Sequence, residues 1–130
     1  MRSGSGVPAW ASSVGYPALT PEEAARRTGL VLVWDETAAR HGPTLLVAAL
    51  EDGCVRLFAR GIRELADGLG RSVTDVTAEA LAHEVLHAAA ARAGVTPGEA
   101  ALRGLAKAWA QACCRRLAME KEERLSWTDQ

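Results

Sequence analysis

Apolar and polar positions follow two different periods along this chain, and the period changes at glycines and prolines. Leu30-Val31-Leu32-Val33-Trp34, bounded by Gly29 and Asp35, is short and rich in β-branched residues, which predicts a strand. Thr44 to Leu50 and Cys54 to Phe58 are two more apolar runs; the Asp52-Gly53 pair between them suits a tight turn, so they are expected to pair antiparallel. From Arg60 the spacing becomes helical, with Ile62, Leu65, Ala66 and Leu69 on one face and Gly70 as the stop. Ser72 or Thr74 can cap the next helix, which runs to Gly94. A long last helix follows, with Leu102, Leu105, Trp109, Ala112 and Cys113 as its apolar stripe and Glu120 to Arg124 as a charged, solvated end.

The helix starts carry their own signals. Thr20-Pro21-Glu22-Glu23 reads as an N-cap, a proline at the first helical position and a glutamate reaching back as a capping box. Thr96-Pro97-Gly98-Glu99 repeats that grammar before the last helix. The short connection at Gly94 to Thr96 makes the last two helices an antiparallel hairpin. Ahead of Thr20, residues 1–19 have the composition of a flexible arm, ordered at most around Trp10 to Tyr16. Asp35 to Pro43 is a connector that holds His41. The expected class is therefore α+β: one domain over residues 20–130, a small antiparallel or mixed sheet packed on helices.

Composition narrows the function classes. A chain of 130 residues with 48% hydrophobic and 24% charged residues is that of an ordinary globular domain. The net charge of -1 and the scattered basic residues provide no field to recruit nucleic acid or an acidic membrane. No apolar run approaches the roughly 18 residues of a membrane span, and the amino terminus does not read as an export signal. The cytoplasm is the expected location. Three cysteines, two of them the neighbours Cys113 and Cys114, form no disulfide framework and fit a reducing compartment.

The candidate chemistry sits in Leu81-Ala82-His83-Glu84-Val85-Leu86-His87. On a helix of about 3.6 residues per turn, His83 and His87 point the same way and can offer ring nitrogens to one Zn²⁺. Glu84 lies beside them, suited to act on water as a general base. Catalytic zinc takes three protein ligands. No histidine follows soon after the motif, and Glu99, in the first turn of the returning helix, is the favoured third ligand. Its competing role is the capping box, and Cys54, His41, Asp75 and the Cys113/Cys114 pair are the other candidates. A donor for a developing oxyanion is sought among Tyr16, His41 and Arg103.

These residues resemble the zincin metallopeptidases, and within them most the small ImmA/IrrE-type proteins, over roughly Pro21 to Leu117. The resemblance rests on a leading helix, a strand ending in Val33-Trp34-Asp35, a hairpin whose second strand is Val55-Arg56-Leu57-Phe58, and the His-Glu-x-x-His helix. It implies a minimal zincin-like fold, His83, His87 and Glu99 as zinc ligands, Glu84 as general base, and a peptide or protein substrate. Leu86 stands where the family usually has glycine, and Glu99 lies closer to the motif than the family's third ligand. Two other readings stay open. One is a non-catalytic zinc-binding or protein-interaction module. The other is a deformylase-like amidase using Cys54 as ligand.

Overall fold

The computed structural model describes residues 7–37 and 40–128, with side chains described as far as Cys113. In chain order the elements are α1 (Ala9–Ser12), α2 (Pro21–Arg27), β1 (Val31–Asp35), β2 (Arg40–His41), β3 (Thr44–Leu45), β4 (Ala48–Glu51), β5 (Cys54–Phe58), α3 (Ala59–Leu69), α4 (Val73–Ala93) and α5 (Glu99–Thr128). The class is α+β, as the period changes predict. Among the described residues no helix is long and apolar enough to cross a membrane.

Local signals set most of the element ends. The Thr20 hydroxyl accepts the Glu23 amide at 3.1 Å and the Glu23 carboxylate accepts the Thr20 amide at 3.0 Å, closing the first capping box. Ser72 accepts the Asp75 amide and starts α4. Helices α3 and α4 end on Gly70 and Gly94, both left-handed. Asp52 and Gly53, with φ of 48° and 77°, form the two-residue turn that sets Glu51 opposite Cys54 in the antiparallel β4–β5 pair.

Non-local pairing adds what spacing does not reveal. Strand β5 is central: β4 flanks it antiparallel, and β1 flanks it parallel with Val31 opposite Cys54 and Asp35 opposite Phe58. The run Thr44 to Leu50 is not one strand. Thr44–Leu45 pairs back with Arg40–His41 in a separate two-stranded sheet, so the expected connector contains a strand. Arg40 ties this hairpin to Glu64 on α3.

Helix α4 is the axis of the molecule, packed by α1, α2, α3, α5 and strands β4 and β5. Buried pairs Leu81/Ala82, Val85/Leu86 and Ala89/Ala90 recur every four residues, so a turn-by-turn stripe of half-buried positions is left between them. His83, Glu84 and His87 occupy that stripe. On α5 the buried positions are Leu102, Ala106, Trp109, Ala110 and Cys113; Leu105 is only half-buried, which turns the helix slightly from the predicted stripe. Within residues 1–19, expected as an arm ordered at most around Trp10 to Tyr16, the order extends from Val7 to Leu19. Ala11 and Val14 are buried, Tyr16 meets Trp109 edge-to-face at 5.3 Å, and the fully buried Trp109 donates its indole N–H to the Leu19 carbonyl at 2.7 Å. Residues 1–6, the charged end Glu120 to Arg124 as side chains, and the Cys114 side chain lie outside the described part.

Candidate metal centre

The α4–α5 hairpin brings the two histidines under the first residue of α5. His83 and His87 stand one turn apart, their rings 4.6 Å between centroids and nearly perpendicular. Helix α5 begins at Glu99, so this glutamate is not the third helical residue of a capping box, and no such box closes at Thr96. Its carboxylate turns to α4 instead. Glu99 Oε2 lies 2.6 Å from His83 Nε2, and Glu99 Oε1 lies 3.5 Å from His87 Nε2. One ligand atom from each of the three side chains lies within 4.8 Å of the others.

Glu84 sits on the other side of the His83 ring, Oε2 at 3.2 Å from Nδ1, and is the least exposed of the four at 13%. A neutral imidazole carries one N–H and here meets a carboxylate at each nitrogen. The protonated ring can donate to both. The His83 pKa is accordingly raised from its ordinary 6.5, first by the hydrogen bond with Glu84 and then, against the opposing effect of burial, by that with Glu99. Glu99 is lowered from 4.5, chiefly by its hydrogen bond with His83.

A cleft of about 420 Å³ opens beside this cluster. His83, Glu84, Glu99 and Arg103 form its polar end, and Leu45, Val47, Ala48, Leu65, Val76 and Ala80 most of its apolar walls. The cleft follows α4 from Glu84 back to Val76, two helical turns, between α3 and β3–β4 on one side and α5 on the other.

The donor set suits a divalent ion. Two imidazole nitrogens of the same type, Nε2, and one carboxylate converge, and this set leaves a fourth tetrahedral position open. The contact of 2.6 Å between His83 and Glu99 is a direct hydrogen bond, shorter than the roughly 3.3 Å between neighbouring ligands of a tetrahedral zinc, so admitting an ion requires a side-chain shift of under about 1 Å. Glu84 at Nδ1 then fixes the tautomer that leaves Nε2 free to coordinate.

The other candidates are placed elsewhere. Cys54 lies on β5 opposite Val31 and Glu51, His41 is exposed on β2, Asp75 is in the first turn of α4, and Cys113 is core. Among the described residues none of them belongs to a three-donor group. Tyr16 packs on Trp109, and burial raises its pKa. Arg103 alone of the three oxyanion candidates lines the cleft. Sequence reasoning missed the Arg71–Glu79 ion pair, 2.8 Å apart in the same cleft, because the two residues are brought together by the α3–α4 turn. The chain matches no family model, no curated protein and no solved structure.

Proposed function

We propose that this chain is a zinc-dependent hydrolase that cleaves a peptide bond in a peptide or protein substrate. The observation that carries the reading is the convergence of His83, His87 and Glu99, with Glu84 beside them, next to an open cleft that His83, Glu84 and Glu99 line. When bound by the three donors, zinc supplies Lewis acidity, bringing water's pKa toward about 7 and polarising a carbonyl. Glu84 Oε2 is engaged with His83 Nδ1, which leaves Oε1 for proton transfer. That carboxylate accepts a proton from the attacking water and returns it to the departing amine. Net, the hydroxyl of water joins the acyl carbon, its proton joins the amine, and the C–N bond breaks.

The test compares zinc content and hydrolysis of an unbiased peptide library, read by mass spectrometry, for the wild type and Glu84→Gln. Equal zinc contents are expected, with a rate lower by roughly 10²–10⁴-fold in the variant. Zinc without any wild-type hydrolysis would make the protein the non-catalytic module instead. Failure of the wild type to retain any divalent ion would remove both readings.

A further inference from the structure

The charges of the cleft are unequal in how well they are matched. Arg71 is held by Glu79 at 2.8 Å, both about two-thirds covered. Among the described residues Arg103 is paired with Glu99, Nε to Oε2 at 3.5 Å, and its side chain is 76% exposed. That same Oε2 is bound at 2.6 Å by His83. Once Glu99 serves a divalent ion, Arg103 has no other counter-charge among the described residues. Two arginines and three glutamates line the cleft, so with neutral His83 its formal charge is -1, and a dication turns this into +1. The loaded cleft is therefore complementary to an anion.

Apart from the Arg71–Glu79 ion pair, the walls beyond Arg103 are apolar. Glu99, Arg103 and Ala106 succeed one another on α5 at helical spacing, so Arg103 stands about one turn from Glu99 with its guanidinium reaching back to that carboxylate, and Ala106 lies one turn further along the helix. In the same cleft Leu45, Val47, Leu65 and Val76 can cover a large apolar side chain. A group that fits this order is carbonyl, then carboxylate, then apolar side chain, as in the last residue of a peptide.

We propose that the cleft selects substrates whose C-terminal residue is large and apolar, with the side chain between Leu65 and Val76 and the free carboxylate on Arg103, making Arg103 the specificity-determining residue. This rests on the zinc-hydrolase reading above. Hydrolysis then releases that residue as a free amino acid, water supplying the hydroxyl of the new carboxylate and the proton of the departing amine. A side-chain carboxylate could supply the same anion, so the test separates the two sources.

Binding and turnover are measured separately. N-acetyl-Ala-Phe, its amide, and the amide of N-acetyl-Ala-Phe-Asp are titrated by calorimetry into zinc-loaded Glu84→Gln, and their cleavage is followed with the wild type. The free acid is expected to bind at least about tenfold tighter than either amide, and Arg103→Gln, added to the Glu84→Gln background, is expected to erase that preference while keeping zinc; Arg103→Lys should restore part of it. Equal binding of acid and amide, tighter binding of the Asp-containing amide, or no binding of any of the three overturns the proposal. So does loss of zinc in Arg103→Gln, since Arg103 would then be a support for Glu99. Acid-selective binding without turnover leaves the proposal standing and removes hydrolysis; turnover without acid preference does the reverse.

Discussion

Thr20-Pro21-Glu22-Glu23 and Thr96-Pro97-Gly98-Glu99 each set a threonine and a proline at the approach to a helix, with a glutamate three residues after the threonine. At the first, the box closes and Glu23 is spent on the Thr20 amide. At the second, the helix begins only at Glu99, and the carboxylate crosses to His83 and His87. Two differences account for this. Gly98 replaces a glutamate, and glycine costs a helix about 1 kcal/mol relative to alanine, so the extra turn that would make Glu99 its third residue is not wound. The start of α5 also lies over the histidine stripe of α4, where a charge-assisted bond to an imidazole outcompetes one to a neutral amide. A glutamate that fails to cap its own helix is thereby available for chemistry on another.

The strongest way to break this contrast is to remove each glutamate in turn. Glu99→Gln is expected to weaken zinc binding by more than about a hundredfold, since even changes to groups supporting a metal ligand cost 10–100-fold. Glu23→Gln should leave zinc affinity unchanged, because its carboxylate is at the far start of α2. Competition against a chromophoric chelator measures both. Equal affinities for Glu99→Gln and the wild type would return Glu99 to a purely structural role.

What was legible in the chain follows the range of the interactions involved. Thr20 with Glu23, Gly70, Gly94 and the Asp52-Gly53 turn act within a few residues, and each ends or turns the chain where the spacing indicates. The His83/His87 pair was legible for the same reason, being one helical turn apart. The parallel pairing of β1 with β5 and the folding of Thr44–Leu45 onto Arg40–His41 depend on partners chosen by tertiary packing, and no local pattern encodes them. Residues 1–19 read as an arm because their glycines and prolines dilute the apolar pattern. Its anchor, the Trp109 indole bonded to the Leu19 carbonyl, comes from the other end of the chain. For Glu99, sequence offered two roles, and the helix start at Glu99 sets the capping role aside and leaves its carboxylate on His83 and His87.

A smaller effect sharpens the same comparison on the threonine side. Thr20→Ala removes a hydroxyl that accepts the Glu23 amide and should cost about 1 kcal/mol of stability. Thr96→Ala, at a box that does not close, should stay under about 0.5 kcal/mol. Urea unfolding of the chelator-treated protein reads both values. Similar losses at the two positions would mean that Thr96 caps α5 by another route.

The subtlest effect is a pH dependence of the metal-free protein that belongs to the second segment alone. His83 has its folded pKa raised above 6.5, so its contribution to stability is fully present below about 6.5 and is lost as pH rises through the raised value. Glu99 has its folded pKa lowered below 4.5, so its contribution is present above about 4.5 and is lost as pH falls through the lowered value. The α4–α5 contact is therefore strongest between those two limits and weakens toward alkaline pH. Zinc reverses the trend, because it takes the unprotonated ring and gains on the proton as pH rises. Thermal unfolding from about pH 6 to about pH 9 should show a stability falling with pH in chelator and a zinc-induced increment rising with it. Glu99→Gln should reduce the chelator slope without abolishing it, since the larger effect of Glu84 on His83 remains, and Thr20→Ala should leave it intact while lowering the whole curve. If Glu99→Gln kept the full slope, the His83–Glu99 bond would not be what holds the start of α5 over the histidines.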